Sequence, residues 1–257
     1  MSTALITGAS GGIGYELAKL FARDRHNLVL VARSIDKLTQ VATELRPSGL
    51  TIKTIALDLA APPAPKFLFD QLQREGIAVD ILVNNAGYGV YGDFAQIPEE
   101  EILGQLDLNI RALTELTRVF LPPMLARHSG RIMNVASTAG FQPGPLMAVY
   151  YATKAYVISF SEAIANELRN SGVTVTCFCP GATHTGFAAR AGVEKSRLFK
   201  LGAMSAEKVA LDGYRAVMEG RTLAISGAHN WMVAQSTRFA PRRMVTAISR
   251  WVAEKVE

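Results

Sequence analysis

Apolar residues in this chain follow two rhythms. Nearly continuous apolar runs recur at 3–7, 27–32, 51–57, 79–83, 130–135, 173–178 and 222–226, among them AsnLeuValLeuValAla and ValThrValThrCysPheCys. Such runs suit strands buried on both faces of a parallel sheet. Between them lie helical segments near 12–24, 34–45, 65–75, 98–126, 147–170 and 205–219. Strand and helix alternate, so right-handed crossovers predict an α/β fold: a doubly wound, seven-stranded, mostly parallel sheet with helices on both faces. Ligands of such sheets bind beyond the carboxyl ends of the strands. The residues that follow strands therefore converge on one edge: a glycine-rich turn, Asp58, Asn84, Ser137 and Pro180.

Composition narrows the class. The chain has 257 residues, 49% of them hydrophobic, enough for a large buried core. The length allows one domain or two small ones, but no linker divides it. AlaAlaProProAlaPro at 60–65 is a short loop between strand and helix, so 1–257 reads as a single domain. The net charge of +5 is mild, and the first 230 residues hold no dense basic stripe, which argues against nucleic-acid binding. There is no secretory pattern and no run of about 18 apolar residues. Cys177 and Cys179 sit on one face of an apolar strand and suit core packing better than metal or redox chemistry. A cytoplasmic protein is expected. With four histidines and no His/Cys/acid cluster, no catalytic metal is expected.

Two segments carry chemistry. Residues 3–14, ThrAlaLeuIleThrGlyAlaSerGlyGlyIleGly, run from a strand through a glycine turn into a helix carrying Ile13, Leu17, Leu20 and Phe21. Gly8, Gly12 and Gly14 permit a tight turn and close backbone approach, and the amides at the helix start favour a pyrophosphate. Farther on, Tyr150 and Lys154 stand four apart, on one helix face, with Ser137 thirteen residues before the tyrosine. An ammonium beside a phenol favours the phenolate, so Lys154 is expected to lower the Tyr150 pKa. The tyrosine could then exchange a proton with an alcohol or carbonyl oxygen.

These motifs resemble the short-chain dehydrogenase/reductase family in its compact single-domain form, with a Rossmann fold. The marks are ThrGlyAlaSerGlyGlyIleGly at 7–14, AspLeu at 58–59 and AsnAsnAlaGly at 84–87, then Asn109, Ser137, Tyr150, Lys154 and ProGly at 180–181 followed by Thr185. The resemblance implies a catalytic set of Asn109, Ser137, Tyr150 and Lys154. Tyr150 would be general acid in reduction, Lys154 would also bind the nicotinamide ribose, and Ser137 would hold the substrate oxygen. Asn109 would hold a water at a local break in its helix, linking Lys154 to solvent. On the cofactor side it implies Gly8, Ser10, Gly12, Ile13 and Gly14 at the pyrophosphate turn, and Asp58 and Leu59 at the adenine. Asn85, Ala86 and Gly87 would lie by the adenosine ribose, with Asn84 bracing the sheet. Pro180, Gly181 and Thr185 would hold the carboxamide, with Tyr150 and Lys154 completing the set. Asp58 taken alone also reads as a loop cap.

Cofactor choice rests on the end of the second strand. An acid there would bind a ribose 2′-hydroxyl and repel a 2′-phosphate. Position 32 is alanine, and Arg33 can offer a fork of donors to a phosphate, so by resemblance NADP is preferred over NAD, with a cap on a surface turn as the other reading of Arg33. Ser10 stands where some NADP-binding relatives carry a second basic residue, and Lys37 helps only if its helix faces inward. The resulting expectation is an NADP(H)-dependent oxidoreductase acting on a ketone or aldehyde and its alcohol, a small-molecule substrate with an apolar portion. A non-enzymatic NADP(H)-sensing protein is the alternative from another class, and a sugar-nucleotide epimerase ranks below both.

The substrate wall is expected from 88–92, 139–147, Tyr151 and a mobile lid over 186–204, mostly apolar and aromatic. Arg190, Lys195, Arg197 and Lys200 read as a solvated lid face ahead of a docking site for an acidic substrate. The tail at 238–257 predicts an amphipathic helix from Pro241, with Met244, Val245, Ile248, Trp251, Val252 and Val256 at helical spacing and Arg242, Arg243, Arg250 and Lys255 beside them. Packing of this helix on its domain or a partner subunit ranks above contact with a membrane surface. By resemblance the protein is expected to be a homodimer or homotetramer.

Overall fold

A computed structural model describes residues 1–46, 49–200 and 202–255. Seven parallel strands form the sheet: β1 (Thr3–Thr7), β2 (Asn27–Ala32), β3 (Ile52–Ala56), β4 (Ile81–Asn84), β5 (Gly130–Val135), β6 (Val173–Cys179) and β9 (Leu223–Ile225). Their order is β3-β2-β1-β4-β5-β6-β9. Every pairing is parallel, with Leu5 opposite both Val29 and Leu82.

The helices follow from burial on alternating faces. Within each strand, successive side chains feed opposite cores. Ala4, Ile6, Leu28 and Leu30 enter one core with Leu17 and Phe21 of α1 (Gly12–Arg23), Leu38 and Val41 of α2 (Ile35–Leu45) and Val209, Tyr214 and Val217 of α9 (Ala206–Met218). Leu5, Val29, Val31 and Leu82 enter the other core with Leu68 and Leu72 of α3 (Ala64–Arg74) and Leu116, Phe120 and Met124 of α5 (Leu113–Ala126). This division explains why the strands read as unbroken apolar runs. Cys177 and Cys179 share a face, 3.8 Å apart, in a third core beside α6 (Ala148–Glu167).

The long helix predicted at 98–126 is three pieces. After α4 (Glu99–Leu106) the chain widens into one π-helical stretch, Asp107–Ala112, before α5. π-bulges of this kind often mark functional positions, and Asn109 lies inside this one. The segment 186–204 holds two short helices, α7 (Gly186–Ala191) and α8 (Arg197–Lys200). It ends at β8 (Met204–Ser205), which pairs in parallel with β7 (Thr183–His184). The tail holds the helix expected from Pro241 and one more before it. A further helix, α10 (Ala228–Ser236), follows the last strand, and α11 (Arg242–Ala253) begins after Pro241. Val256 and the side chain of Lys200 lie outside the described residues.

Two glycines in the first turn separate steric need from tolerance. A Cβ on Gly14 would lie 2.4 Å from the Gly8 carbonyl oxygen, whereas one on Gly11 would meet nothing within 4 Å. Gly11 also has an extended backbone, with φ 175°. Gly14→Ala should therefore lower stability by about 1–3 kcal/mol, as overpacking does. Gly11→Ala should change it by less than about 0.5 kcal/mol. Urea midpoints for the two variants check this.

Candidate functional site

The site begins where β1 ends. Gly8 and Gly12 have φ +66° and +56°, a backbone conformation that favours glycine. Asn85 locks the turn from the neighbouring strand. Its Nδ2 donates to the carbonyls of Thr7 at 2.9 Å and Gly8 at 3.3 Å. The amides of Asn85 and Ala86 both donate to Thr7 Oγ1 at 3.0 Å. A Cβ on Gly8 would stand 2.8 Å from Asn85 Nδ2. Helix α1 then starts with no capping side chain and no acidic residue in its first turn. Its leading amides and positive dipole end are available to an anion. A backbone cradle that a Cβ would fill, leading to uncapped amides, fits a dinucleotide pyrophosphate.

Arg33 follows β2 on the wall of the same cleft, and Lys37 shares that wall. Ser34 caps α2 by accepting the Lys37 amide at 3.4 Å. Asp58 Oδ1 accepts the Ala60 amide at 3.0 Å, which is the loop-capping role weighed from sequence, and the residue also borders the cleft. Asn84 is a brace: its Nδ2 donates to Thr117 Oγ1 at 3.1 Å and to Asn134 Oδ1 at 2.9 Å.

Ser137, Tyr150 and Lys154 meet at the other end. Ser137 follows β5, accepts the Ala139 amide at 3.1 Å and donates to the Pro180 carbonyl at 3.4 Å. Lys154, 5% exposed, donates from Nζ to the Val135 carbonyl at 2.8 Å. The same Nζ lies 5.7 Å from the centre of the Tyr150 ring.

The pKa expectation is corrected here. Burial raises the Tyr150 phenol above its usual value, with a hydrogen bond from Ser137 opposing the shift. Burial also lowers Lys154 to about 8. The ammonium is tied to a backbone carbonyl and sits over the ring, so desolvation outweighs its attraction.

Asn109, 1% exposed, clamps the backbone of Tyr88: Oδ1 accepts its amide at 3.1 Å and Nδ2 donates to its carbonyl at 2.8 Å. Nδ2 also reaches Thr153 Oγ1 at 3.1 Å. Thr185 caps α7 by accepting the Phe187 amide at 3.2 Å. A Cβ on Gly12 would stand 3.1 Å from the Thr185 side chain, so the glycine turn and the loop after β6 close on each other.

One cleft of about 700 Å³ gathers these groups; of the catalytic, cofactor-binding and bracing residues expected from sequence, Gly14, Asn84 and Asn109 do not line it. Around Tyr150 the cleft is lined by Met147, Tyr151, Phe187, Val193 and Phe199. Of 88–92, only Tyr88 reaches it. The lid arginines part company. Arg190 stacks on Tyr88 at 4.0 Å. Arg197 anchors the start of α8 to the end of α11, bonding the Trp251 carbonyl at 2.7 Å and Glu254 at 3.0 Å. Arg197 is thus a tether and not part of a solvated face.

Two contributors were missed from sequence. Val252 of α11 reaches the cleft wall. Asn230 of α10 backs Gly181, where a Cβ would lie 2.4 Å from Asn230 Nδ2. The helical spacing of α11 pointed to an inward face without saying what it met. Among the described residues, no group of three or more His, Cys, Asp or Glu could hold a metal ion.

The model of the short chain dehydrogenase family matches residues 2–195. A ketoacyl reductase of Nostoc sp. is 37% identical over 70% of this chain and 62% of its own length. A very-long-chain 3-oxoacyl-CoA reductase of Homo sapiens is 34% identical over 69% of this chain, and the match spans 58% of that protein. Among solved structures, a short-chain dehydrogenase from Sphingobium yanoikuyae in complex with NADPH superposes with a TM-score of 0.84 at 34% identity, covering 93% of this chain and 94% of that one. A bulky-bulky ketone specific alcohol dehydrogenase from Comamonas testosteroni gives 0.79 at 31% identity, covering 93% and 92%.

Lys154 has a measurable cost. Its folded pKa of about 8 lies below its usual 10.5. Between those values the unfolded chain binds more protons, so this residue's contribution to stability rises with pH through that window. Lys154→Met should therefore be more stable than the wild type at neutral pH, with the advantage shrinking from pH 8 to 10.5. Paired denaturant melts across that range test it; a constant difference would contradict the buried ammonium.

Proposed function

We propose that this chain, which belongs to the short-chain dehydrogenase family, interconverts a ketone or aldehyde and its alcohol with NADP(H) as redox partner. The carrying observation is one cleft with an anion-receiving glycine turn and Arg33 at one end and Ser137, Tyr150 and Lys154 at the other. The nicotinamide supplies the hydride chemistry when bound. The protein binds, orients and moves the proton.

Gly8, Ser10, Gly12 and Ile13 would hold the pyrophosphate against α1. Arg33 would pair with the 2′-phosphate, with Lys37 beside it and no acid at Ala32 to repel it. Asp58 and Leu59 would border the adenine, Asn85, Ala86 and Gly87 the adenosine ribose, and Pro180, Gly181 and Thr185 would hold the carboxamide. The NADPH complex of the Sphingobium relative supports this choice of cofactor.

In reduction, Tyr150 donates its phenolic proton to the substrate oxygen while Ser137 donates a hydrogen bond to that same oxygen. Burial favours the protonated phenol, the form reduction needs. Lys154 would hold the nicotinamide ribose and stabilise the tyrosinate once the proton has left. Asn109 keeps the Tyr88 backbone in place beside Lys154, where a water would link the lysine to solvent. The apolar substrate end, and relatives named as ketoacyl reductase and bulky-ketone dehydrogenase, favour a ketone with bulky apolar flanks or a 3-ketoacyl thioester. We place the activity in the cytoplasm, in a homodimer or homotetramer, which light scattering would establish.

Tyr150→Phe should cut turnover at least ~100-fold while leaving NADPH binding within about twofold of wild type, because the lost hydroxyl serves the substrate. Undiminished turnover of an active ketone would overturn the assignment, and activity absent from a broad carbonyl panel would favour an NADP(H)-sensing role. Arg33→Ala should weaken NADPH by roughly 10- to 100-fold, as expected for a lost charged hydrogen bond, and leave NADH nearly unchanged. Equal losses for both nucleotides would remove Arg33 from the phosphate site.

A further inference from the structure

Helix α11 has two working faces. One packs inward, with Ser249 and Ala253 buried and Val252 on the cleft wall. The other carries Met244, Ile248 and Trp251, which are 49%, 53% and 52% exposed. Their i, i+4, i+7 spacing stacks them in one apolar stripe. Phe239, in the connection just before the helix, is 87% exposed. Ordinary surfaces scatter such residues singly; here they are consecutive on one element.

Charge identifies what covers them. From Gly220 to Ala253 the chain contains no aspartate or glutamate and five arginines. Arg243 and Arg250, seven positions apart, flank the stripe on one side, and Arg238 and Arg242 lie at its start. Glu254 is engaged by Arg197 and Arg250. A second copy related by a twofold axis would set this basic face against itself, with no acid in the segment to answer it. A single convex helix with a Trp also offers no groove to seat a peptide. An apolar stripe edged by arginines matches an anionic bilayer surface, where the side chains enter the acyl boundary and the guanidinium groups meet headgroup phosphates.

We infer that α11 and Phe239 form a peripheral docking surface for anionic membranes. Lid helix α8 is tied to α11 through Arg197, and Val252 lies on the cleft wall, so docking sets the substrate end of the cleft near the bilayer. If the proposed carbonyl activity holds, its apolar substrates can be drawn from the lipid phase. Docking itself does not depend on that activity.

Flotation of the full chain with phosphatidylcholine vesicles, with and without phosphatidylserine, tests the inference. Binding should require phosphatidylserine and be released by salt. Met244→Ser with Ile248→Ser should reduce it at least about tenfold, and Arg243→Ala about fivefold. NADPH binding by all variants serves as the folding control. Failure to float with either vesicle, equal binding to both, or unchanged binding by the double variant would overturn the inference. So would an oligomer that the double variant dissociates in light scattering, which would assign the face to a second subunit.

Discussion

Where β1 and β4 end side by side, the chain turns through Gly8 while Asn85 reaches across to its carbonyl and to that of Thr7. No Cβ can stand on Gly8 or Gly14 without meeting that contact. The strand order reverses direction between β1 and β4, so helices leave the sheet on opposite faces and a crevice opens there. The close approach fixes the depth of this crevice and aims the uncapped start of α1 into it. Arg33, Asp58, Ser137 and Pro180 reach the same crevice because parallel strands bring all their carboxyl ends to one edge.

At the far end of the crevice the dominant force is desolvation. Tyr150 and Lys154 lie among apolar and aromatic neighbours, where burial holds the phenol protonated and makes the ammonium costly. A site with an aliphatic residue at position 154 would fold more readily. Under the proposed function, a cation there gains value when a negative charge forms beside it, as on a tyrosine that has given up its proton. Stability and chemistry are opposed at this residue, and the two large cores provide the surplus that accommodates it.

Much of this was legible in the sequence for a physical reason. Doubly buried strands must be apolar throughout, so their runs marked the sheet, and glycines required by close approach marked the crevice. The bracing role of Asn84 followed from the family resemblance at 84–87. The direction of the Tyr150 shift did not, because spacing along a helix reports proximity and not solvent exclusion. Helix α10 escaped notice because it carries no apolar stripe, and Asn230 with it. The tethering of Arg197 to Glu254 and Trp251 joins residues more than fifty positions apart, which no periodicity reveals. In α11 the single apolar pattern concealed two faces with different neighbours.

The central claim is that this crevice binds a phosphorylated nicotinamide dinucleotide. Titration of the purified wild-type protein with NADPH and with NADH, followed by nicotinamide fluorescence at equilibrium, tests it most directly. The account predicts saturable NADPH binding at least about tenfold tighter than NADH, the difference a charged contact to one phosphate supplies. Tighter binding of NADH, or no binding of either nucleotide, would contradict it.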